Sequence, residues 1–529
     1  MAVINRYKYH MLVAVAFFVI RLPSLGSDNF NTDVWKWKAR SYDFGTGVFN
    51  MQFDKTLQKY HPGVTLMWIG TVGVKLQNLI LDKNTSLSAI DAIFLLDKIQ
   101  KVLTVAVISI TTAFIFHVVY SLFGLRLGLL SAYLIGVEPF FVGLTRVFHL
   151  EGLLSVFMLA SVLWLYFYVK ETSKVRRLYL SGFFAGLALL TKTSALFLLP
   201  FTFLVLAYCG YIKVLGKPFI KPLLIWFLMV MGTCFLLWPA LWTNLIGVLQ
   251  ALYKGIVVVG LDTDHYQFYF GKYVDSPGYL YYFVVFFLRF SPILVLGLLG
   301  LAVVFCKLSK EKKEFVLFVI AYSAVYFLEI TLPTKKLDRY ILPSAVALCS
   351  LAALFWDYLY DRVGKQFKCL ISALLVIVPI TTLVILHPDY LSYYSPMVGG
   401  LRTGIKVIEP KWMIGTPEII SYFDALSKTK GYVFSDQNES FEEIVNSTKY
   451  QNVLTVGFQE KYYTQIWPFF REIGGWAVVQ ELAPFAIKTK YFVYPVWGDS
   501  GVNETRFPVK KIDVIKVRGV VVYNVYERV

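Results

Sequence analysis

The stretch Lys335–Pro343, KKLDRYILP, puts three cations and one acid at the edge of a long apolar run. Arg146, His149 and Glu151 in TRVFHLEG form a second charged group between apolar stretches, and Lys192 stands inside LLTKTSALFLLP. Charges at membrane depth are costly, so they mark functional positions by default. Taken singly, each reads first as an interfacial anchor, because Lys and Arg stems snorkel at span ends. Three such groups on one side of a membrane point instead to a shared task, holding an anionic group at headgroup depth. A phosphate or pyrophosphate on a lipid suits them, since Arg grips it with two donors and Lys meets it as a point charge. The same cations would stabilise the negative charge that grows on a leaving phosphate oxygen.

A transfer from such a phosphate needs a carboxylate to take a proton from the acceptor hydroxyl. GSDNFNTDVWKWKARSYDF offers Asp28, Asp33 and Asp43. Asp33 precedes Trp35 and Trp37, whose rings suit stacking on sugars. Asn31, Thr32 or Asp33 also reads as the N-cap of an interfacial helix, because NTDVWKWKA has the form of a helix start.

These residues need elements to carry them. The chain has 529 residues, of which 57% are hydrophobic and 16% charged, with a mean hydropathy of +0.60. Soluble domains run near 45–50% apolar and about 25% charged. The apolar residues cluster into runs close to the ~20 needed to cross a bilayer, so the sequence predicts an integral membrane protein. Spans are expected near 9–26, 100–123, 127–145, 150–170, 220–240, 279–306, 315–332, 340–360 and 366–387. The stretch 178–210 is too long for one crossing and reads as two short helices broken near Lys192–Thr193. The first span is read as retained, not cleaved. Five cysteines, all in or beside apolar spans, suggest neither a disulfide framework nor a metal cluster.

The net charge is +17, yet residues 389–529 hold 16 Lys+Arg against 15 Asp+Glu, so +16 belongs to the apolar part. It sits in short loops, at Arg6 and Lys8, Arg126, Lys170 to Arg177, Lys213 to Lys221, Lys307 to Lys313 and Arg362 to Lys368. That placement sets membrane orientation and is no face for nucleic acid. It gives eleven spans over residues 1–387, with the N-terminus cytoplasmic. Outside the membrane fall a first loop, 27–99, a medium loop, 241–278, and a tail, 388–529. The tail's β-like runs YQNVLTVG, KYFVYPVW and GVVVYNVY, with a helix in TPEIISYFDAL, predict a small extracytoplasmic α/β domain.

Seven elements occur in order over residues 15–400: FNTDVW, KYHPGVTLMW, EPFFVGLTRVFHLEGLL, GFFAGLALLTKTSALFLLP, WPALW, HYQFYFGKYVDSPGYLYY and KKLDRYILP. In this order the chain resembles the GT-C superfamily of polytopic glycosyltransferases. The similarity is greatest to the branch holding the dolichyl-phosphate-mannose–protein mannosyltransferases and the aminoarabinose–lipid A transferases. The resemblance implies a GT-C-like membrane domain, a polyprenyl-phosphate sugar donor used on the outer face, and inversion at the anomeric carbon. Asp33 matches the family's catalytic acid, although Val34 replaces the Glu that commonly follows. His61 matches the His or Lys of an HPP or KPP element, with Gly63 replacing the second proline. Glu151 stands where Asp is commoner.

The resemblance agrees with the charge pattern in placing Arg146, Lys192, Lys336 and Arg339 around the donor phosphate. His61, Glu151, His265 and Lys335 are further substrate-binding candidates; His265 is equally a loop histidine bonded to backbone. Asp338 is expected to pair with Arg339 or Lys335. No cysteine–histidine spacing indicates zinc; no cofactor is required, though a divalent cation is compatible. The expected partners are the lipid-linked donor, a protein, glycolipid or polysaccharide acceptor, and the bilayer of a prokaryotic plasma membrane. The rival reading is a transporter or flippase of lipid-linked sugars, against which stand the absence of repeats and the gathering of charge at one face.

Overall fold

The computed structural model describes residues 2–81, 87–215, 218–258, 266–435, 452–480, 489–497 and 508–529, with side chains from residue 7 onward. His265 and Lys217 lie outside the described residues.

The first helices are α1 (Ala2–Arg21), α2 (Val34–Phe49), α3 (Val64–Leu81) and α4 (Ala89–Phe123). They are followed by α5 (Leu125–Val137), α6 (Pro139–Thr145), α7 (Leu150–Lys170), α8 (Val175–Thr191), α9 (Leu198–Tyr211) and α10 (Ile220–Leu237). Next come α11 (Ala240–Thr243), α12 (Leu245–Tyr253), α13 (Tyr281–Arg289), α14 (Pro292–Val304), α15 (Lys310–Thr331), α16 (Leu342–Arg362) and α17 (Lys365–Leu386). Among the described residues, eight helices are long and apolar enough to cross a membrane, or ten when each of two bent pairs counts as one span. The protein is a polytopic helical membrane protein. Helix α7 runs through its centre and is buried nearly throughout.

The structure revises several expected boundaries. The runs 127–145 and 279–306 are not straight spans: α5–α6 bends by 67° and α13–α14 by 117°. Pro139 and Pro292 open the second half of each pair, and a residue before proline leaves the helical region. Helix α4 starts eleven residues before the expected position 100. Its 35 residues reach roughly 50 Å at 1.5 Å per residue, well beyond a ~30 Å core. The region 27–99 is therefore built on a helix longer than one crossing, with α2 and α3 packed beside it. Helix α3 is itself apolar enough to cross, where the sequence predicts only loop.

A buried ionic chain ties this region down. Lys38 of α2 meets Asp97 at 3.0 Å, Asp97 meets Lys101 at 2.7 Å, and Lys101 meets Asp28 at 2.9 Å. Asp28 then meets Arg146 at 2.9 Å. The break after α8 falls at Lys192, whose φ of −157° and ψ of 143° end the helix and turn its side chain out of the helical stack.

Between α12 and α13 the medium loop carries a short hairpin, β1 (Gln267–Tyr269) and β2 (Lys272–Val274). Beyond α17 lie α18 (Gly400–Val407), α19 (Thr416–Lys430) and α20 (Glu460–Glu472). Strands β3 (Thr455–Phe458), β4 (Trp476–Val479), β5 (Tyr491–Pro495), β6 (Val509–Val517) and β7 (Val520–Arg528) form one sheet in the order β4-β3-β5-β7-β6. Strand β3 is parallel to β4 and β5, while β7 is antiparallel to β5 and β6. At the hairpin turn, the Phe270 N–H donates to the Val407 carbonyl of α18 at 2.8 Å. That bond ties the medium loop to the tail.

Candidate active site

Asp33 occupies the N-cap position of α2, but its carboxylate makes no capping bond. Asn31 Oδ1 instead accepts from the Asp33 backbone N–H at 3.0 Å. The Asp33 carboxylate is thereby left available, and its side chain is 33% exposed. One oxygen lies 3.5 Å from Lys36 and the other 3.7 Å from His149 Nε2.

His149 is buried at the N-terminal boundary of α7, and its Nδ1 contacts Glu151 Oε2. Glu151 Oε1 receives Lys192 Nζ at 3.1 Å and Arg339 Nε at 3.3 Å. A partly exposed carboxylate, a histidine, a central carboxylate and two cations thus form one connected cluster. They come from the segment before α2, the start of α7, the break after α8 and the segment before α16. No local sequence pattern could have joined them.

Burial alone would raise the Asp33 carboxyl. Hydrogen bonding and charge from His149, with the charges of Arg339 and Lys36, outweigh it and hold the group well below the usual carboxylate range. For His149, burial opposes protonation, but the Glu151 charge and the hydrogen bonds to Asp33 and Glu151 win and raise it.

The aromatic walls come from the tail and from α16's approach. The Trp412 ring lies 4.9 Å from the Arg339 guanidinium and 5.0 Å from the His149 ring. The Tyr340 ring lies 3.9 Å under Lys192 Nζ. The tail thus supplies part of the site wall through a residue that nothing in its sequence neighbourhood marked. The tryptophans expected to stack on sugar are used elsewhere. Trp35 stacks on Phe30 and Trp467, and its N–H donates to the Thr464 carbonyl. Trp37 is buried against Gly63, which has φ of +58° and would place a Cβ 2.2 Å from the ring. A second proline after Pro62 could adopt neither that angle nor that approach.

The sequence-predicted residues divide into three groups. Asp33, Glu151, Lys192 and Arg339 meet directly, with His149 joining them. His61 and Lys335 line a cavity of about 170 Å³ together with Lys192. Burial, then the charges of Lys192 and Arg40, push His61 down to about 4, so it is neutral at physiological pH.

Arg146 and Lys336 go elsewhere. The Arg146 guanidinium donates to the Arg21 and Pro23 carbonyls at 2.5 and 2.8 Å and to Asp28 at 2.9 Å. Lys336 Nζ donates to the Thr331 carbonyl at 2.7 Å and to that of Pro333. Asp338 pairs with Arg289 at 2.8 Å, not with Arg339 or Lys335. Asp28 is spent on the ionic chain, and Asp43 is exposed. Among the described residues no three His, Cys, Asp or Glu side chains are grouped to hold a metal ion.

Arg146→Met is therefore expected to act through stability. It leaves Asp28 short of one counter-charge in a buried setting, a loss on the order of 3–5 kcal/mol. Detergent melting curves should fall clearly.

Residues 89–238 match the sequence model of the dolichyl-phosphate-mannose-protein mannosyltransferase family. The matched stretch contains His149, Glu151 and Lys192 but neither Asp33 nor Arg339. No curated protein sequence matches the chain. Among solved structures, the chain is similar to ArnT from Cupriavidus metallidurans bound to undecaprenyl phosphate, at 13% identity and a TM-score of 0.47 over 98% of both chains. It is also similar to the Archaeoglobus fulgidus oligosaccharyltransferase in its apo form, at 12% identity and 0.46, over 94% of this chain and 70% of that one. A third similarity is to AglB from Archaeoglobus fulgidus in complex with an inhibitory peptide and a dolichol-phosphate, at 11% identity and 0.44, over 98% of this chain and 74% of that one.

Proposed function

We propose that this integral membrane protein is a glycosyltransferase that moves a sugar from a polyprenyl-phosphate donor to an acceptor hydroxyl at the outer membrane face. Asp33 takes the proton of the acceptor hydroxyl. The acceptor oxygen attacks the anomeric carbon from the side opposite the phosphate, so configuration inverts. The carbon–oxygen bond to phosphate breaks, and Lys192 and Arg339 meet the charge left on the departing lipid phosphate. Lys335 adds a further positive charge at the donor side.

The observation that carries this reading is the single cluster joining Asp33, through His149 and Glu151, to Lys192 and Arg339. Asp33 is a weak base, held deprotonated at all ordinary pH. Proton transfer to it becomes favourable late, once bond formation to the sugar has acidified the acceptor hydroxyl. Glu151 supplies His149, Lys192 and Arg339 with a shared counter-charge while no phosphate is bound. The reading requires no resident metal and leaves room for a divalent ion as extra counter-charge. Protein, glycolipid and polysaccharide hydroxyls all suit a base at this depth.

The test incubates purified protein in lipid nanodiscs with radiolabelled polyprenyl-phosphate sugars and a panel of acceptors. Glycosylated acceptor and free polyprenyl phosphate should appear together in equal amounts. Movement of intact donor between leaflets with no phosphate released would instead establish the translocator reading. The bent pairs α5–α6 and α13–α14 give that rival its support, because broken helices recur in transporters.

The charge states also set a pH response. Asp33 is depressed, so its stabilising share is complete above about pH 4 and is lost only as pH falls through its lowered value. His149 is raised, so its share is complete below about pH 6.5 and is lost as pH rises through its elevated value. Melting temperature should hold between about pH 4.5 and 6.5 and fall on the alkaline side. His149→Gln should flatten that alkaline fall.

A further inference from the structure

The cavity beside Lys192 holds about 170 Å³ and is lined by His61, Lys192, Tyr326, Glu329, Lys335 and Tyr340, among others. A single water occupies ~30 Å³, so the space suits a larger guest. Three buried polar atoms on its lining, His61 Nδ1, Ser194 Oγ and Glu329 Oε2, have no hydrogen-bond partner among the described residues. Leaving such an atom unsatisfied costs about 1–3 kcal/mol, and native folds keep few of them.

A phosphate explains the two lysines and does not explain Glu329. A sugar–lipid phosphodiester offers no hydrogen-bond donor, so this unpartnered oxygen calls for a donor of another kind. Lys192 fixes the geometry, because its Nζ meets Glu151 of the reaction cluster at 3.1 Å while its side chain also borders this cavity. A guest whose phosphate lies at Lys192 therefore places its neighbouring group beside Glu329. In a polyprenyl-phosphate sugar that neighbouring group is the sugar ring.

We infer that Glu329 is a specificity-determining residue that reads the donor sugar by accepting a hydrogen bond from one ring hydroxyl or ammonium substituent. The neutral His61 ring on the same lining offers a second polar contact. This inference rests on the glycosyltransferase reading and deepens it: the hydrogen-bonding pattern of the sugar, and not only its lipid phosphate, selects the donor.

The test uses the full chain in nanodiscs with two kinds of probe, sugar-free polyprenyl phosphate and a panel of polyprenyl-phosphate hexoses with their monodeoxy forms. In the parent protein, one deoxy position should lower kcat/KM at least tenfold against the best hexose. Glu329→Gln should keep polyprenyl phosphate affinity within twofold, lower kcat/KM for the best hexose at least tenfold, and lose the discrimination against that deoxy donor. Lys192→Ala should weaken both probes. Equal loss of both probes in Glu329→Gln, or unchanged kinetics there, would overturn the inference. If that variant does not fold, the parent's deoxy panel decides, and indifference to every ring hydroxyl overturns it. A parent that transfers sugar normally in either of those cases leaves the broader function standing. A parent that binds no polyprenyl phosphate and transfers from no donor removes the broader function itself.

Discussion

Replacing Asp33 by Asn should leave the protein folded and cut transfer by roughly 10²–10⁴-fold, the range typical for loss of a positioned general base. The substitution keeps size and shape and removes the negative charge and, with it, the ability to take a proton. Its structural cost is small for three reasons. Asp33 makes no capping bond to α2, so the helix start does not depend on it. The pair with Lys36 is exposed on the Lys side, at 66%, and such pairs contribute about 0–1 kcal/mol. His149 keeps Glu151 as its closer partner. Lys192 and Arg339 are untouched, so the affinity for lipid phosphate should remain while turnover is lost. Full-rate transfer by the Asp33→Asn variant, with melting unchanged, would remove Asp33 from the mechanism.

Glu151→Gln should be the most damaging single change to the fold around the site. One buried carboxylate faces His149, Lys192 and Arg339. Without its charge, three cationic groups lose their common counter-ion in a setting that solvates them poorly. Removing one partner of a buried ionic cluster costs about 3–5 kcal/mol. The variant should melt well below the parent. A second change, Lys192→Met, removes one of the stranded cations, so the double variant should recover part of the loss. That positive coupling is the measurement that matters, because independent sites would simply add. Melting of Glu151→Gln at the parent temperature, or additive losses in the double variant, would show that Glu151 is not the hub of the cluster.

Much of the architecture was legible because membrane helices obey a one-dimensional rule. A bilayer offers no partner for backbone polar groups, so apolar runs of the right length must become helices. The break at Lys192 was readable for the same reason, since the run 178–210 was too long for one crossing and carried a charge. The tail strands at Thr455–Phe458, Tyr491–Pro495 and Val520–Arg528 were visible as β-rich runs. The bends at Glu138 and Ser291 were missed, although Pro139 and Pro292 marked both. Strand β6 was missed as well: Lys510, Lys511, Asp513 and Lys516 hide its alternation, and it lies at the edge of the sheet, where charge is tolerated.

The roles of individual charges were less legible. Arg146, Lys192, Lys336 and Arg339 look alike as cations beside apolar spans. Only tertiary packing separates them, and it does so by what each meets. Arg146 is used up by carbonyls and Asp28, and Lys336 by carbonyls of its own loop, while Lys192 and Arg339 share Glu151. His149 was visible beside Arg146 and Glu151, yet its link to Asp33 was not, because 116 positions separate them in the chain.

The amino-acid sequence by itself determined that this chain lives in a membrane, which stretches become its helices, and that costly charge gathers near the ends of several of them. Hydropathy and charge cost act locally along the chain, so a linear reading captures them. The tertiary structure alone decided which charges are spent on backbone carbonyls and ionic ties and which gather around Glu151. That depends on distances of about 3 Å between residues remote in sequence, and on whether a backbone carbonyl reaches a cation before another side chain does. Linear order carries no record of either.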